Sequence, residues 1–314
     1  MEDRDFAKSS RPNLLYRNLV IIRILLLAVA TASTLGAQTR IVMLGTGTPN
    51  ADPDRSGPSL AIVVNGESYL VDAGPGVVRR AAAAQRADGM PALASPKLRR
   101  VFITHLHSDH TAGLPDLLLT PWVLERTSPL EVYGPPRTKR MVDLISEAYA
   151  DDIRIRLTGG EPSNKTGYRA IARDVAPGVV YRDSNVTVTA FKVSHGKWEA
   201  AYGYIFQTRD RKIVVSGDTG PTDAVVKACD GCDVLVHEVY SAERLKTRTA
   251  DWQAYHSSFH TSGYQLGDIA TRARAKSVLL THQLYWGADD PELIREVSTK
   301  YSGPVLAGRD LGVY

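Results

Sequence analysis

A chain of 314 residues with 43% hydrophobic and 23% charged side chains lies in the range of ordinary globular proteins, and it is long enough to bury one large core or two small ones. The formal net charge is only +4; the first 37 residues carry five Lys or Arg against three Asp or Glu, which leaves 33 against 31 in the remainder. A balance this even argues against a surface built to coat nucleic acid, so nucleic acid is not expected as a partner.

Residues 1–37 read as a signal peptide or N-terminal anchor. Arg11, Arg17 and Arg23 precede the apolar stretch Ile24 to Ala30, which closes on small residues. Ala30-Thr31-Ala32 offers one cleavage site, and Ala37 before Gln38 another. Export to the periplasm or medium is expected. The alternatives are a membrane anchor, because Leu19 to Ala37 approaches spanning length, and an unprocessed cytoplasmic chain. No membrane span is expected beyond this segment. Residues 38–314 contain no repeat, low-complexity tract or Pro/Gly/Ser linker and are read as a single hydrolase domain.

Along that domain, Arg40 to Thr46 is a short β-like run ending in Gly45-Thr46-Gly47-Thr48-Pro49. This is a strand-to-loop turn, since it lacks the Lys of a P-loop and the third Gly of a dinucleotide fingerprint. Leu60–Val64 and Ser68–Ala73, joined by Asn65-Gly66-Glu67, form a hairpin. Gly76–Gln85 is helical, Arg99–Thr104 a buried strand, Gly113–Leu119 a helix, Leu130–Tyr133 a strand, and residues 137–150 a helix. The stretch Asp151–Ser184 has poor periodicity and reads as an irregular crossing. Strands follow at Val186–Val193, Tyr202–Thr208, Lys212–Ser216, Asp233–His237 and Ser277–Thr281, with helices at Pro221–Ala228, Gly263–Arg274 and Pro291–Lys300. Strands grouped in each half with helices between and after them fit an α/β sandwich of two mixed sheets flanked by helices. Cys229 and Cys232 lie as C-x-x-C without a second pair. They are read as capping a loop, with a disulfide in an oxidising compartment or thiol redox catalysis as the alternatives.

The eight histidines all fall at or after His105, three of them in Thr104-His105-Leu106-His107-Ser108-Asp109-His110. A strand ending at Thr104 sends His105 and His107 to one side, and Asp109 and His110 project as the loop turns into a helix. Four ligand-capable side chains so close can serve more than one cation. Imidazole suits zinc, and carboxylate tolerates zinc, manganese or iron.

This run resembles the H-x-H-x-D-H signature of the metallo-β-lactamase superfamily, and the resemblance extends from about Arg40 to the C-terminus. It implies the αββα metallo-β-lactamase fold. Asp72 and Gly74 in V-D-A-G-P-G match the family's Asp-x-Gly turn, which supports the metal loop without binding metal. The third histidine of the first metal is matched by His195, the bridging carboxylate by Asp218, and the last ligand by His282. The resemblance therefore implies two Zn2+ per chain, or Mn2+ or Fe2+ in their place. His105, His107 and His195 would hold one, Asp109, His110 and His282 the other, and Asp218 both. Such a pair lowers the pKa of a shared water towards about 7, and Asp109 can accept its proton.

Phe259-His260-Thr261-Ser262-Gly263-Tyr264-Gln265 resembles the H-S/T-x-x-Q element of the ribonuclease Z and arylsulfatase-like branches, with the Gln one position late. It implies that His260 gives a proton to the leaving group; an N-cap or packing histidine is the alternative. His237-Glu238 resembles the H-E element of the same branches and reads as support rather than ligand, while His256 has no motif partner and reads as a loop residue. Ribonuclease Z enzymes usually carry a long arm between the third histidine and the bridging Asp, whereas here 23 positions separate His195 from Asp218. The expectation is an exported dinuclear-metal hydrolase of a phosphodiester, sulfate ester or related small ester, with a homodimer implied by the branch. The alternatives are a ribonuclease Z-type endoribonuclease, a lactonase, a β-lactamase, or a non-hydrolytic metal-binding scaffold. Loops near Pro49–Pro58, Trp122, Trp198, Trp252 and Tyr285-Trp286 are candidates for the pocket mouth.

Overall fold

The structure, a computed structural model, describes residues 38–314; the N-terminal segment read as a signal peptide or anchor lies outside them. Among the described residues, no helix is long and apolar enough to cross a membrane.

The first half begins with β1 (Arg40–Gly45) and β2 (Ser59–Val64), antiparallel, and β2 turns through Asn65-Gly66 into β3 (Glu67–Val71). After α1 (Val77–Ala87) come β4 (Arg100–Phe102), α2 (Ser108–Thr111), α3 (Leu114–Val123), β5 (Leu130–Gly134), α4 (Thr138–Ala148), α5 (Ala150–Thr158) and β6 (Ala170–Asp174). From β3 onward the strands are parallel, giving a six-stranded sheet in chain order. Val77, Val78 and Ala81 of α1, with Leu117 and Trp122 of α3, bury the outer face of this sheet.

The second half contributes β7 (Gly178–Arg182), β8 (Thr187–Val193), β9 (Ala201–Gln207), β10 (Lys212–Val215), α6 (Asp223–Cys229), β11 (Val234–Tyr240), α7 (Ala242–Leu245), α8 (Ala250–Phe259), α9 (Gly263–Arg272), β12 (Val278–Leu284), α10 (Asp290–Ser298) and β13 (Val305–Ala307). These strands form a seven-stranded sheet, antiparallel from β7 to β10 and parallel from β10 to β13. The two sheets meet through aromatic rings: Phe102 packs edge-on against Tyr204 and Phe206 at 5.6 and 5.5 Å, and the Tyr204 hydroxyl donates to the Ile103 carbonyl at 2.7 Å. This is the expected αββα sandwich.

Two expectations need correction. The stretch 151–184 is not irregular throughout, because it contains α5, β6 and β7. Its strands lie at sheet edges with mostly exposed or half-buried side chains, and α5 buries only Ile153, so none carries a hydrophobic period. The thiols of Cys229 and Cys232 are joined as a disulfide in the buried core beside α9, rather than acting as separate loop caps.

α3 contains Pro121, which has no N–H to donate to the Leu117 carbonyl one turn back. The buried guanidinium of Arg126 supplies that donor: Nη1 reaches Leu117 O at 2.9 Å and Leu98 O at 3.0 Å, and Nη2 reaches Leu118 O at 2.6 Å and Gly167 O at 2.9 Å.

Candidate active site

The histidine cluster sits where β4 ends. Leu106 turns towards the core, which leaves His105 and His107 on the opposite side. His107 is the N-terminal flanking residue of α2, so Asp109 and His110 occupy its first turn. Asp72, just after β3, ties this loop down: its carboxylate accepts from Thr104 N at 2.8 Å, Thr104 Oγ1 at 2.9 Å and His110 Nδ1 at 2.8 Å. The backbone at Gly74 passes so close to the same loop that an added Cβ would lie 2.7 Å from the Asp109 carbonyl oxygen. Hence only glycine fits there.

His195 follows β8 and Asp218 follows β10. His282 lies within β12 at a bulge: Glu238 pairs with Thr281 and Val239 with Gln283, so His282 is the extra residue, with φ 46°. A bulge re-aims a side chain that a regular pleat would send along the sheet face.

These side chains converge in two groups. His107 Nδ1 lies 2.9 Å from His105 Nε2 and 3.2 Å from His195 Nε2. Asp109 Oδ2 lies 3.2 Å from His282 Nε2 and 3.4 Å from His110 Nε2. Asp218 Oδ2 reaches both groups, at 3.4 Å from His110 and His282 and 3.9 Å from His105. Donors about 2.0–2.1 Å from a tetrahedral zinc would stand roughly 3.3 Å apart, so the donor set fits two such cations. The far ring nitrogens are oriented by Thr104 Oγ1 for His105, the Phe259 carbonyl for His195 and Trp198 Nε1 for His107.

Charge follows the same division. Burial holds His105 well below its ordinary pKa and His195 down at about 4, so both are neutral and able to bind metal at neutral pH. Burial also opposes charge on His110, but the Asp218 and Asp72 carboxylates outweigh it and raise its pKa well above the usual value. Burial would raise Asp218 too, yet His282, His110 and His105 hold it far down. The buried carboxylates Asp72, Asp109 and Asp218 thus lie in direct contact with the His110 and His282 imidazoles.

His260, immediately after α8, faces this centre with its Nδ1 3.4 Å from Glu238 Oε2. Glu238 also accepts from Thr261 N at 2.9 Å and Thr219 N at 3.3 Å. Burial, together with the nearby Asp218, pushes the Glu238 carboxyl well up, while burial pushes His260 down to about 4. These directions leave the proton on the Glu238 carboxyl and the His260 imidazole neutral, with the two groups close but not hydrogen-bonded. His237, one residue earlier on β11, is buried with its Nδ1 against the Glu238 carbonyl and does not join the cluster. The late Gln265 has a separate cause: Ser262 and Gln265 form the capping box that starts α9.

A family profile described as "Beta-lactamase superfamily domain" matches residues 67–283. The chain belongs to the metallo-β-lactamase superfamily. Within it, the chain falls in the ribonuclease Z branch and is a metal-dependent hydrolase. It is similar to the ribonuclease Z of Mycobacterium bovis (strain BCG / Pasteur 1173P2), with 32% identity over 286 residues, covering 86% of this chain and 96% of that one. In fold it resembles human tRNase Z, short form, with a TM-score of 0.66, 22% identity and coverage of 88% of this chain and 98% of that one. It also resembles the metallo-β-lactamase fold protein YhfI from Bacillus subtilis, with a TM-score of 0.64, 20% identity and coverage of 88% and 98%.

The ribonuclease Z relatives overturn the expectation that nucleic acid is not a partner of this superfamily member. Net charge averages over a whole surface, whereas a hydrolase that grips a strand locally needs only a few cations at its cleft. The cleft here is a cavity of about 620 Å3, lined by His107, Asp109, Asp218, His260 and His282 and, beside them, by Arg248, Asp251, Trp252, Tyr255, His256 and Trp286. His256 is corrected from a loop residue to a member of α8. Pro49, Trp252 and Trp286 do line the mouth; Trp122 is instead buried in the core, with its Nε1 donating to the Asn164 carbonyl. Arg248, Tyr255 and His256 escaped the sequence reading, although Trp252, His256 and His260 at intervals of four, beside Tyr255 and Phe259, spell out a helix face.

Replacing His260 with Ala is expected to leave metal content unchanged and to slow turnover by about 10²–10⁴-fold, most for substrates with poor leaving groups. Rates measured on a series of aryl phosphodiesters of graded leaving-group pKa test this, and a slowdown of equal size throughout the series would assign His260 to packing alone.

Proposed function

We propose that this chain is a dinuclear-zinc phosphodiesterase of ribonuclease Z type that cleaves RNA. The observation that carries this reading is the convergence of both donor groups on Asp218 beside the His260–Glu238 pair, in a chain 32% identical to a ribonuclease Z over most of both lengths. His105, His107 and His195 would hold one cation, Asp109, His110 and His282 the other, and Asp218 both. Bound there, the cations supply Lewis acidity towards a phosphoryl oxygen and lower the pKa of water. Asp109 accepts the proton of the attacking water. As the new P–O bond forms and the old one breaks, the His260 imidazole gives its ring proton to the departing oxygen and takes up the Glu238 carboxyl proton at its other nitrogen, leaving Glu238 as the carboxylate.

The connection from His195 to Asp218 supports a narrower substrate. It consists of the β9–β10 hairpin, closed at Thr208–Arg211 and tied through Asp210 to Thr39, with no inserted arm. RNA would therefore be held near the scissile bond rather than by a distant fold of the substrate.

The purified chain is expected to carry about two zinc ions, to hydrolyse bis-p-nitrophenyl phosphate and a short single-stranded RNA, and to lose both activities in chelator until zinc is restored. Full metal occupancy with no turnover on phosphodiester, sulfate ester, lactone or β-lactam substrates would replace this reading with a non-hydrolytic scaffold. Faster turnover of sulfate esters than of phosphodiesters would move the activity to that class.

A further inference from the structure

The cavity wall that α8 builds beside the metal-binding side chains has no role in the steps above. Trp252 lies on it with 48% of its surface exposed, unusual for the largest apolar side chain of a globular protein. Its ring is not loose. His256, one turn on, stacks against it at 5.5 Å and 24°, Tyr255 braces it edge-on at 5.7 Å, and Trp286 in turn packs on His256 at 4.6 Å. The indole is thus held by its neighbours while remaining open to the cavity. Preorganised aromatic faces of this kind bind flat rings at low entropic cost.

Arg248 lines the same wall, as does Asp251 three residues on, and among the described residues the Arg248 guanidinium forms no ion pair. Its backbone is fixed, with N donating to the Leu245 carbonyl and O accepting from Gln253 Nε2 at 2.8 Å. A cleft-lip guanidinium that no carboxylate holds in an ion pair is suited to a phosphate. His260 marks the leaving-group side of the scissile bond, and Trp252 stands two helical turns, about 12 Å, from it along α8. That is the reach of one or two nucleotides.

We propose that Trp252 and Arg248 form a nucleotide subsite on the leaving-group side, where a base stacks on the Trp252 indole and Arg248 pairs with a flanking phosphate. The inference rests on the RNA phosphodiesterase reading above. It assigns substrate grip to a short-range platform, which suits a chain without an inserted arm.

The test compares two single-stranded RNAs on the zinc-loaded enzyme. One has all its bases, and the other has abasic riboses at the two positions on the leaving-group side of the scissile phosphate. Base–aromatic stacking of about 1–3 kcal/mol corresponds to a preference of roughly 5–150-fold in kcat/KM for the intact strand. Trp252→Ala should erase that ratio and Trp252→Phe should retain most of it. A folding defect would lower both rates and leave the ratio unchanged. Arg248→Met should raise KM for both strands and flatten its dependence on salt. Equal rates on the two strands in the unaltered enzyme, or a ratio that survives Trp252→Ala, overturns the subsite while leaving RNA cleavage intact. Cleavage of neither strand alongside hydrolysis of bis-p-nitrophenyl phosphate overturns the RNA reading and the subsite with it.

Discussion

Replacing Asp218 with Ala is expected to reduce bound zinc from about two ions to one or fewer and to lower phosphodiester turnover by at least about 10³-fold, some 4 kcal/mol of barrier. The reason is positional. Among the ligand-capable side chains, Asp218 is the carboxylate whose single oxygen lies within 4 Å of His105 on one side and of His110 and His282 on the other. Removing it separates the two groups and leaves His110 and His282 facing each other with less counter-charge. Asp218→Asn preserves the volume and one oxygen but removes the charge, so it should retain more metal than Asp218→Ala while remaining slow. Elemental analysis on both variants, alongside rates at saturating zinc, decides the matter. Two ions and unaltered turnover in Asp218→Ala would remove it from the centre.

The metal groups were legible in the sequence because their spacing is dictated by backbone geometry. Two histidines two apart at a strand end must face one way, and the short helix after them brings Asp109 and His110 to bear. The later ligands, His195, Asp218 and His282, were legible only through resemblance, since each alone is an ordinary polar residue after or within a strand. What brings His282 in is a one-residue bulge in β12, and no local sequence pattern announces a bulge without glycine.

The cavity wall was the least legible part. α8 buries only His256, so its face has no hydrophobic period of the kind that marks a helix lying on a core. Its aromatics face a cleft, and an i, i+4 aromatic pattern read for a core looks like noise. The strands β6 and β7 were missed for a related reason, because edge strands with exposed faces do not alternate. In each case the sequence signal used was burial, and these elements are defined by what they leave open.

The largest effect on stability is expected at Arg126, far from any chemistry. Its guanidinium is fully buried and is met by four main-chain carbonyls instead of a carboxylate. Burial, with Arg99 nearby, pushes its pKa down to about 10, which still leaves it charged at neutral pH. Burying a cation this way is costly unless its donors are met, and here Nη1 and Nη2, though not Nε, are met by three separate segments: α3 opened by Pro121, the turn at Leu98, and the approach to β6 at Gly167. The last segment is held from both directions, since Asn164 Nδ2 donates to the Arg126 carbonyl at 3.1 Å and a Cβ at Gly167 would lie 1.7 Å from that same oxygen. Arg126→Met fills similar volume but removes a donor from four buried carbonyls, at up to about 1–3 kcal/mol each before relaxation. After relaxation a loss of about 3–5 kcal/mol is expected, which is a large share of a total of about 5–15 kcal/mol. Arg126→Lys should recover little, because one ammonium cannot span the fork. Denaturant midpoints at constant slope measure the loss, and zinc content per folded chain should stay the same in both variants. A change below about 1 kcal/mol in Arg126→Met would mean that water reaches these carbonyls and that the bridge across Pro121 is dispensable.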